Sequence, residues 1–344
     1  MGADVDFGAG DAGHPARQAR GVERAKVRAV IEPIGLSTSW NGPGASPERL
    51  LDQHRGLGFR RLEAYAHFTA DGLRGLATEA ARRDMQIASL HGPCPVPNSP
   101  DGFPSPTGDW LASTNSVERN RAVDAHKATI DAAVEVGARA IVVHLGNSGV
   151  VSRQGAIFDT IARHGRLSDE HLRLRDTAWQ EREAAKAPHL QSALTSIRAL
   201  GEHAAGSGVR LGVECRDGYF EIPSLDEFAE VLSACDGLPV GYWHDAGHGA
   251  KLDYLGFLEH EELLRRYAAR LVGMHIHDTR TGRDHLAPGQ GSTDFAMLGG
   301  YLRPDTMRTL ELSRVVTAAE ISQALDLLEP LGAFGVREGI LVEL

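Results

Sequence analysis

Residues 271–278 read LVGMHIHD, a run of strand type that closes on two histidines and an aspartate. Alternation puts His275 and His277 on one face if the strand persists that far. The pattern recurs along the chain. Short apolar, β-branched runs at 30–37, 59–65, 86–91, 139–145, 209–214, 239–244, 271–277 and 307–312 alternate with helical patterns at 47–57, 71–83, 117–136, 181–206, 224–235, 259–269 and 316–329. Gly58, Gly137 and Gly208 stand just before the next strand, where a helix C-cap is expected. Eight strands alternating with helices imply a parallel sheet, and eight strands also close a (β/α)8 barrel. The rival, an open doubly wound sheet, usually announces its first turn with a Gly-rich phosphate loop, and residues 35–44 hold no GxGxxG. The expected fold is α/β, a single (β/α)8 TIM barrel with long loops after strands 3 and 4. Those loops, 92–116 and 146–180, would overhang the catalytic mouth.

Composition narrows the class. The chain has 344 residues, 42% of them hydrophobic, which is ample for a core and excludes wholesale disorder. Residues 1–27, rich in Gly, Ala, Asp and Arg with no apolar period, read as a disordered leader, leaving the barrel domain to 28–344. No apolar run approaches the roughly 20 residues of a membrane span, and the N-terminus lacks a signal-peptide centre. Cys94, Cys215 and Cys235 form no CxxC pair, which speaks against a disulfide framework or a cysteine zinc knuckle and makes a reducing cytoplasm the expected location. The net charge of −10 argues against a protein that coats nucleic acid. Sixteen histidines stand against 20 Phe, Tyr and Trp residues, and their positions decide what that surplus means.

In a barrel the active site lies at the C-terminal face, where strand ends converge. Here strands 3 to 8 end in His91, His144, Glu214, Asp245 with His248, His275 with His277 and Asp278, and Glu311. A lone strand-end histidine is usually a hydrogen-bonded structural residue; six ionisable ends in succession are another matter. Three carboxylates and several imidazoles in one small mouth would repel each other without a cation. A divalent ion resolves this, and mixed N/O ligands suit Mn²⁺, Zn²⁺, Co²⁺ or Fe²⁺, whereas Ca²⁺ wants oxygen. In Asp245-Ala246-Gly247-His248 a small-residue turn would bring the imidazole back to the mouth. Of His275 and His277, one would be a ligand and the other its support. The Gly/Pro-rich loop 283–291 could fold His285 over the site, and Arg280 and Arg283 could meet an anionic or polyol substrate or simply face solvent. Glu63 either reaches the mouth or pairs with Arg60 or Arg61. Trp110, Tyr219 and Phe220 are candidates to stack on a sugar, while Trp243, inside a strand, reads as core. Cys94 and Cys215 flank the site without the partners of a nucleophile.

Seven short motifs carry a resemblance: LHGP at 90–93, VVHLG at 142–146, GVE at 212–214, DAGH at 245–248, HIHD at 275–278, RDHLAPGQG at 283–291 and LEL at 310–312. In this order, over about residues 30–330, the chain resembles the xylose isomerase-like barrels, which include sugar phosphate isomerases/epimerases and AP endonuclease family 2. The resemblance implies that Glu214, Asp245, His275 and Glu311 are the four ligands of the epimerases' single metal. His248 matches a residue that contacts substrate in epimerases and binds metal in the endonucleases. His91, His144 and His285 match further ligands of the endonucleases' trinuclear zinc cluster, so one to three ions are implied. Arg283 departs from that cluster, standing where the endonuclease pattern has Asp; the adjacent Asp284 is the available substitute.

The loop text DHLAPGQG and DAGHG looks more like the isomerase/epimerase branch. The implied activity is a divalent-metal-dependent isomerase or epimerase on a small sugar or keto-polyol, working through a metal-stabilised enediolate. Glu214 and Glu311 would move the proton, His248 would orient a hydroxyl, and His91, His277, Arg280 and Arg283 would bind substrate. A dehydratase or retro-aldol lyase could use the same enolate. The rival class is an AP endonuclease-like phosphodiesterase with several metals. Against it, the sequence shows no aromatic-interleaved Lys/Arg stripe, and only Lys186 and Lys251 follow Lys127. A third class, a non-catalytic partner protein, fits poorly with an intact carboxylate set. The expected partner is a carbohydrate-like small molecule, with no membrane and no nucleic acid; the 146–180 segment reads as a lid or as the arm of a homodimer.

Overall fold

Eight short strands carry the fold: β1 Gly35–Ser37, β2 Arg61–Ala64, β3 Gln86–His91, β4 Ala140–Val143, β5 Arg210–Glu214, β6 Val240–Asp245, β7 Leu271–Ile276 and β8 Met307–Leu310. In the computed structural model, which describes residues 28–96, 110–337 and 340–343, each strand pairs in parallel with the next. β8 returns to β1 and closes the barrel. The leader at 1–27 and residues 97–109 of the loop after β3 lie outside the described residues.

One side chain sets the inward layers. Trp243, fully buried on β6, fills the barrel interior with Ala140, Val142, Val272 and Met307. Its indole leaves no room on the flanking strands: a Cβ at Gly212 would stand 2.7 Å from Trp243 Cε3, and one at Gly273 would meet the same ring. Side chains two residues on share this inward face. They are Glu214 after Gly212, Asp245 after Trp243 and His275 after Gly273. The ionisable layer therefore sits directly above a packed aromatic floor, and His275 pairs in register with Asp245.

Helices α1 Pro47–Gly56, α2 Ala70–Ala81 and α3 Ser116–Val136 start at Ser46, Thr69 and Asn115, whose side chains accept from backbone N–H groups of the first turn. Three local expectations are corrected. The 30–37 run is not one strand: only Gly35–Ser37 joins the barrel, and Arg28–Val30 pairs antiparallel with Leu341–Glu343. Asp245-Ala246-Gly247-His248 is not a turn but the start of a helix. The segment 146–180 is largely helical, with α4 Gln154–His164 followed by α5 Asp169–Ala204, 36 residues long and capped by Ser168. Dense charge hid these helices, but Ile157, Ile161 and Ala178 bury against Tyr219 and Leu255. α6 Glu227–Ala234, α7 Ala246–Tyr254, α8 His260–Tyr267, α9 Phe295–Gly299 and α10 Ala318–Leu328 complete the ring. No helix among the described residues is long and apolar enough to cross a membrane.

The long helix holds the loop after β5. Arg182, fully buried on α5, forks onto Glu227 (Nη1–Oε1 2.7 Å, Nη2–Oε2 2.6 Å) and donates to the carbonyl of Glu221 at 2.9 Å. Burial would raise the Glu227 carboxyl, but Arg182 outweighs it and holds the group below its ordinary value. Its stabilising contribution is full above the unfolded value of 4.5 and is lost as pH falls through the depressed folded value. Removing the guanidinium leaves the buried carboxylate only Lys186 Nζ at 3.2 Å and the Ser224 N–H at 2.8 Å among its described partners, a loss expected at about 3 kcal/mol. Arg182→Met is expected to lower the urea-unfolding free energy by that amount at pH 7; a change under about 1 kcal/mol, the value of an exposed pair, would contradict it.

Candidate metal centre at the barrel mouth

Glu214 ends β5, Asp245 ends β6, His275 lies near the end of β7 and Glu311 follows β8. All four are buried, with ligand atoms within 4.8 Å of one another. His275 Nδ1 is the hub, 2.6 Å from Glu214 Oε1, 2.9 Å from Glu311 Oε2 and 3.5 Å from Asp245 Oδ2. Its other nitrogen, Nε2, lies 3.1 Å from Glu63 Oε1, and Glu63 Oε2 accepts from the Ser89 hydroxyl at 2.8 Å. A carboxylate behind the imidazole keeps a proton on Nε2 and turns Nδ1 towards the carboxylates, the support that a metal-ligating histidine uses.

Asp245 is committed on one side only. Its Oδ1 accepts the backbone N–H of His248 at 2.7 Å, as the cap of α7, and faces His277 Nε2 at 2.9 Å. His277 Nδ1 accepts the backbone N–H of His285 at 2.9 Å, so Nε2 carries the proton and donates to Asp245. Asp245 Oδ2 is buried without a hydrogen bond among the described residues. Three carboxylates, one oriented imidazole and an orphan oxygen at their centre fit a divalent transition ion with mixed N/O ligands.

Electrostatics agree with this arrangement. Burial pulls His275 down, but Glu311, Glu63 and Glu214 overcome it and hold the imidazole well above its ordinary value. Burial pushes Glu214 and Glu311 up, and the facing histidines reverse this, holding both well below the carboxylate range. In the ion-free protein His275 is therefore a cation whose stabilising effect is full below 6.5 and is lost as pH rises through its raised value. An ion at Nδ1 must displace that proton. Metal affinity is thus expected to rise about tenfold per pH unit while His275 is protonated, with about one proton released per ion. Calorimetry in buffers of different ionisation enthalpy reads this release, and zero protons would contradict it.

The other expected residues fall around this group. His91 and His144 meet Glu214 in a second set, and Asp245, His277 and His285 form a third. His91 is held neutral by burial, its value pushed down to about 3, and its Nδ1 is buried without a hydrogen bond among the described residues. His248 Nδ1 donates to the Cys215 carbonyl at 2.9 Å, which leaves Nε2 as its other polar atom. His285, at φ +56°, stacks on His277 with ring centroids 4.3 Å apart and lies 3.1 Å from Asp284. Asp284 is tied to Lys251 at 2.7 Å, and Lys251 also holds Asp217 at 2.6 Å. Asp284 is therefore not a member of the third set. Arg280 and Arg283 face each other across a hairpin of Asp278–Arg280 and Arg283–Leu286 and are solvent-exposed. Of the two readings of these arginines, this placement matches the solvent-facing one.

Glu63 reaches the mouth, and it is Glu32 that pairs with Arg61. Arg216 was missed by the sequence reading. Its Nη1 lies 2.7 Å from His144 Nε2 and 3.0 Å from Glu214 Oε2, although its place two residues after Glu214 shares that residue's strand parity. Trp243 is core, as expected. Tyr219 stacks on Phe257 (4.8 Å) in an outer cluster with Phe220, and Trp110 packs half-buried against the main core, so none of the three is shown at the mouth. Burial pushes the Cys94 and Cys215 thiols up to about 12, which leaves neither a nucleophile.

The family model described as "xylose isomerase-like TIM barrel" matches residues 51–323. No curated protein matches the sequence. Among solved structures, a 3-keto-D-glucoside 4-epimerase from E. coli superposes with a TM-score of 0.61 at 16% identity, covering 86% of this chain and 98% of that one. A D-psicose 3-epimerase from Clostridium cellulolyticum H10 gives 0.61 at 12% identity, covering 87% and 99%. A protein from Rhodospirillum rubrum described as a putative xylose isomerase gives 0.62 at 16%, covering 88% and 98%. At such identities the likeness is one of fold.

Proposed function

The chain belongs to the xylose isomerase-like TIM barrel family, and from that premise we propose that it is a divalent-metal-dependent isomerase or epimerase of a small sugar or keto-polyol. The observation that carries this reading is the buried set of Glu214, Asp245, His275 and Glu311, with its orphan oxygen and its histidine oriented by Glu63. An ion held there supplies Lewis-acid polarisation of a substrate carbonyl, which acidifies the neighbouring C–H.

The chain's own groups do the rest. Glu214 and Glu311 approach His275 from β5 and β8, and inversion at carbon needs two such carboxylates, one to take the proton and one to return it. His248, its Nδ1 bound to a carbonyl, offers Nε2 to a substrate hydroxyl. Neutral His91 offers in the same way an Nδ1 that has no hydrogen bond among the described residues. The packed indole of Trp243 closes the barrel beneath these side chains.

The His91–His144–Glu214 set favours a second reading, phosphodiester cleavage on abasic DNA. Incubation of the metal-loaded protein in D2O with a panel of ketoses and keto-glycosides separates the two. Deuterium at the carbon beside the carbonyl, with no nicking of an abasic duplex, is the expected result. Nicking without exchange on any keto sugar would overturn the proposal, and loss of water or a cleaved fragment after exchange would identify a dehydratase or lyase.

A further inference from the structure

We propose that the Arg216 guanidinium is a resident cation standing in the place of a second metal ion against the His144–Glu214 pair, so that the mouth takes one ion and not several. This rests on the four-ligand reading of the neighbouring site. The His91, His144 and Glu214 side chains converge as metal ligands do. Two of the atoms such an ion would use, His144 Nε2 and Glu214 Oε2, already face one nitrogen, Arg216 Nη1, at 2.7 and 3.0 Å. Those two atoms are themselves 2.6 Å apart: with its proton on Nε2, His144 donates to Glu214 Oε2, which also accepts from Arg216 Nη1. A metal would need the same two atoms at about 2.0–2.2 Å, so the ion and the guanidinium cannot share the space.

The guanidinium is also anchored from behind. Arg216 Nε donates to Glu221 Oε1 at 2.8 Å, and Glu221 Oε2 accepts the backbone N–H of Gly218 at 2.8 Å. Arg182 grips the Glu221 carbonyl, and Glu221–Ile222 pairs antiparallel with Gly146–Asn147. An arriving dication would have to eject a side chain that is only 12% exposed and break its pair with Glu221, which is buried. Arginine suits the task because, unlike a histidine or lysine, it cannot yield the place by losing a proton. Glu214 then serves two cations, with Oε2 on the fixed one and Oε1, 2.6 Å from His275 Nδ1, on the exchangeable one. A fixed guanidinium generates no hydroxide, which biases the mouth to proton transfer at carbon and away from hydrolysis.

The test counts ions. Full-length wild type, Arg216→Met, His144→Ala and the double variant are stripped of metal and titrated with Co²⁺, with equivalents read from the visible spectrum and from elemental analysis. Expected are one equivalent for wild type, two for Arg216→Met, and one again for the double variant. His144→Ala with Arg216 in place should keep its one equivalent, and Arg216→Gln, for which two equivalents are again expected, takes the place of Arg216→Met should that variant not fold. Two equivalents in wild type, one in a folded Arg216→Met, or the loss of an equivalent in His144→Ala would each overturn the inference. A wild type that binds no cobalt would instead sink the four-ligand reading on which it rests.

Discussion

Replacing Glu311 with Gln is expected to lower turnover by on the order of 10³- to 10⁴-fold, the upper range for loss of a positioned general base. Glu311 is 4% exposed, and its Oε2 lies 2.9 Å from His275 Nδ1 and 3.8 Å from His285 Nε2. Burial alone would favour the protonated acid, but the two imidazoles hold it ionised, as a base must be at neutral pH. Gln keeps the shape and one coordinating oxygen while removing the basicity. The loss should therefore fall on kcat, with KM within a few-fold of wild type. Co²⁺ should still bind, more weakly, at one equivalent. Glu214→Gln should behave similarly, because the second proton transfer fails in place of the first. Activity within tenfold of wild type in either variant would remove that glutamate from the proton path.

Stripping the ion is expected to have the largest effect of all, with turnover falling below detection after dialysis against dipicolinate and returning with Mn²⁺ or Co²⁺. Glu63, Glu214, Asp245 and Glu311 lie together and buried. Without an ion the three ligand carboxylates are offset by protonated His275, by His285 beside Glu311 and by the Arg216 guanidinium on Glu214. An ion present at 100 times its dissociation constant stabilises the fold by about 2.7 kcal/mol. At roughly 2 °C per kcal/mol for a chain of this length, the melting temperature should fall by about 5 °C on stripping. Turnover that survives complete chelation would show that the carboxylates serve another purpose.

The barrel and its layer of converging ionisable side chains were legible in the sequence because both depend on a short-range rule, alternation along a strand. Gly212–Glu214, Trp243–Asp245 and Gly273–His275 repeat one spacing, and the floor below and the ionisable side chains above follow from it. What escaped depends on partners distant in sequence. Arg28–Val30 looks like part of the first strand until its pairing with Leu341–Glu343 is known. The start of α5 is highly charged, and its apolar contacts come from α4 and from the loop after β5. Whether Glu63 met an arginine or His275 turned on a contact across 212 residues, which no local pattern encodes. Arg280 and Arg283 had the right charge in the right loop, but the hairpin turns them to solvent. Arg216, in a stretch with no motif, takes the position beside Glu214.

Anomalous diffraction at the cobalt edge from Co²⁺-loaded crystals tests the metal centre most directly. One peak per chain is expected, bounded by Glu214, Asp245, His275 and Glu311, with none between His91 and His144. A fully loaded crystal with no peak among those four residues would contradict the reading of this mouth as a metal centre.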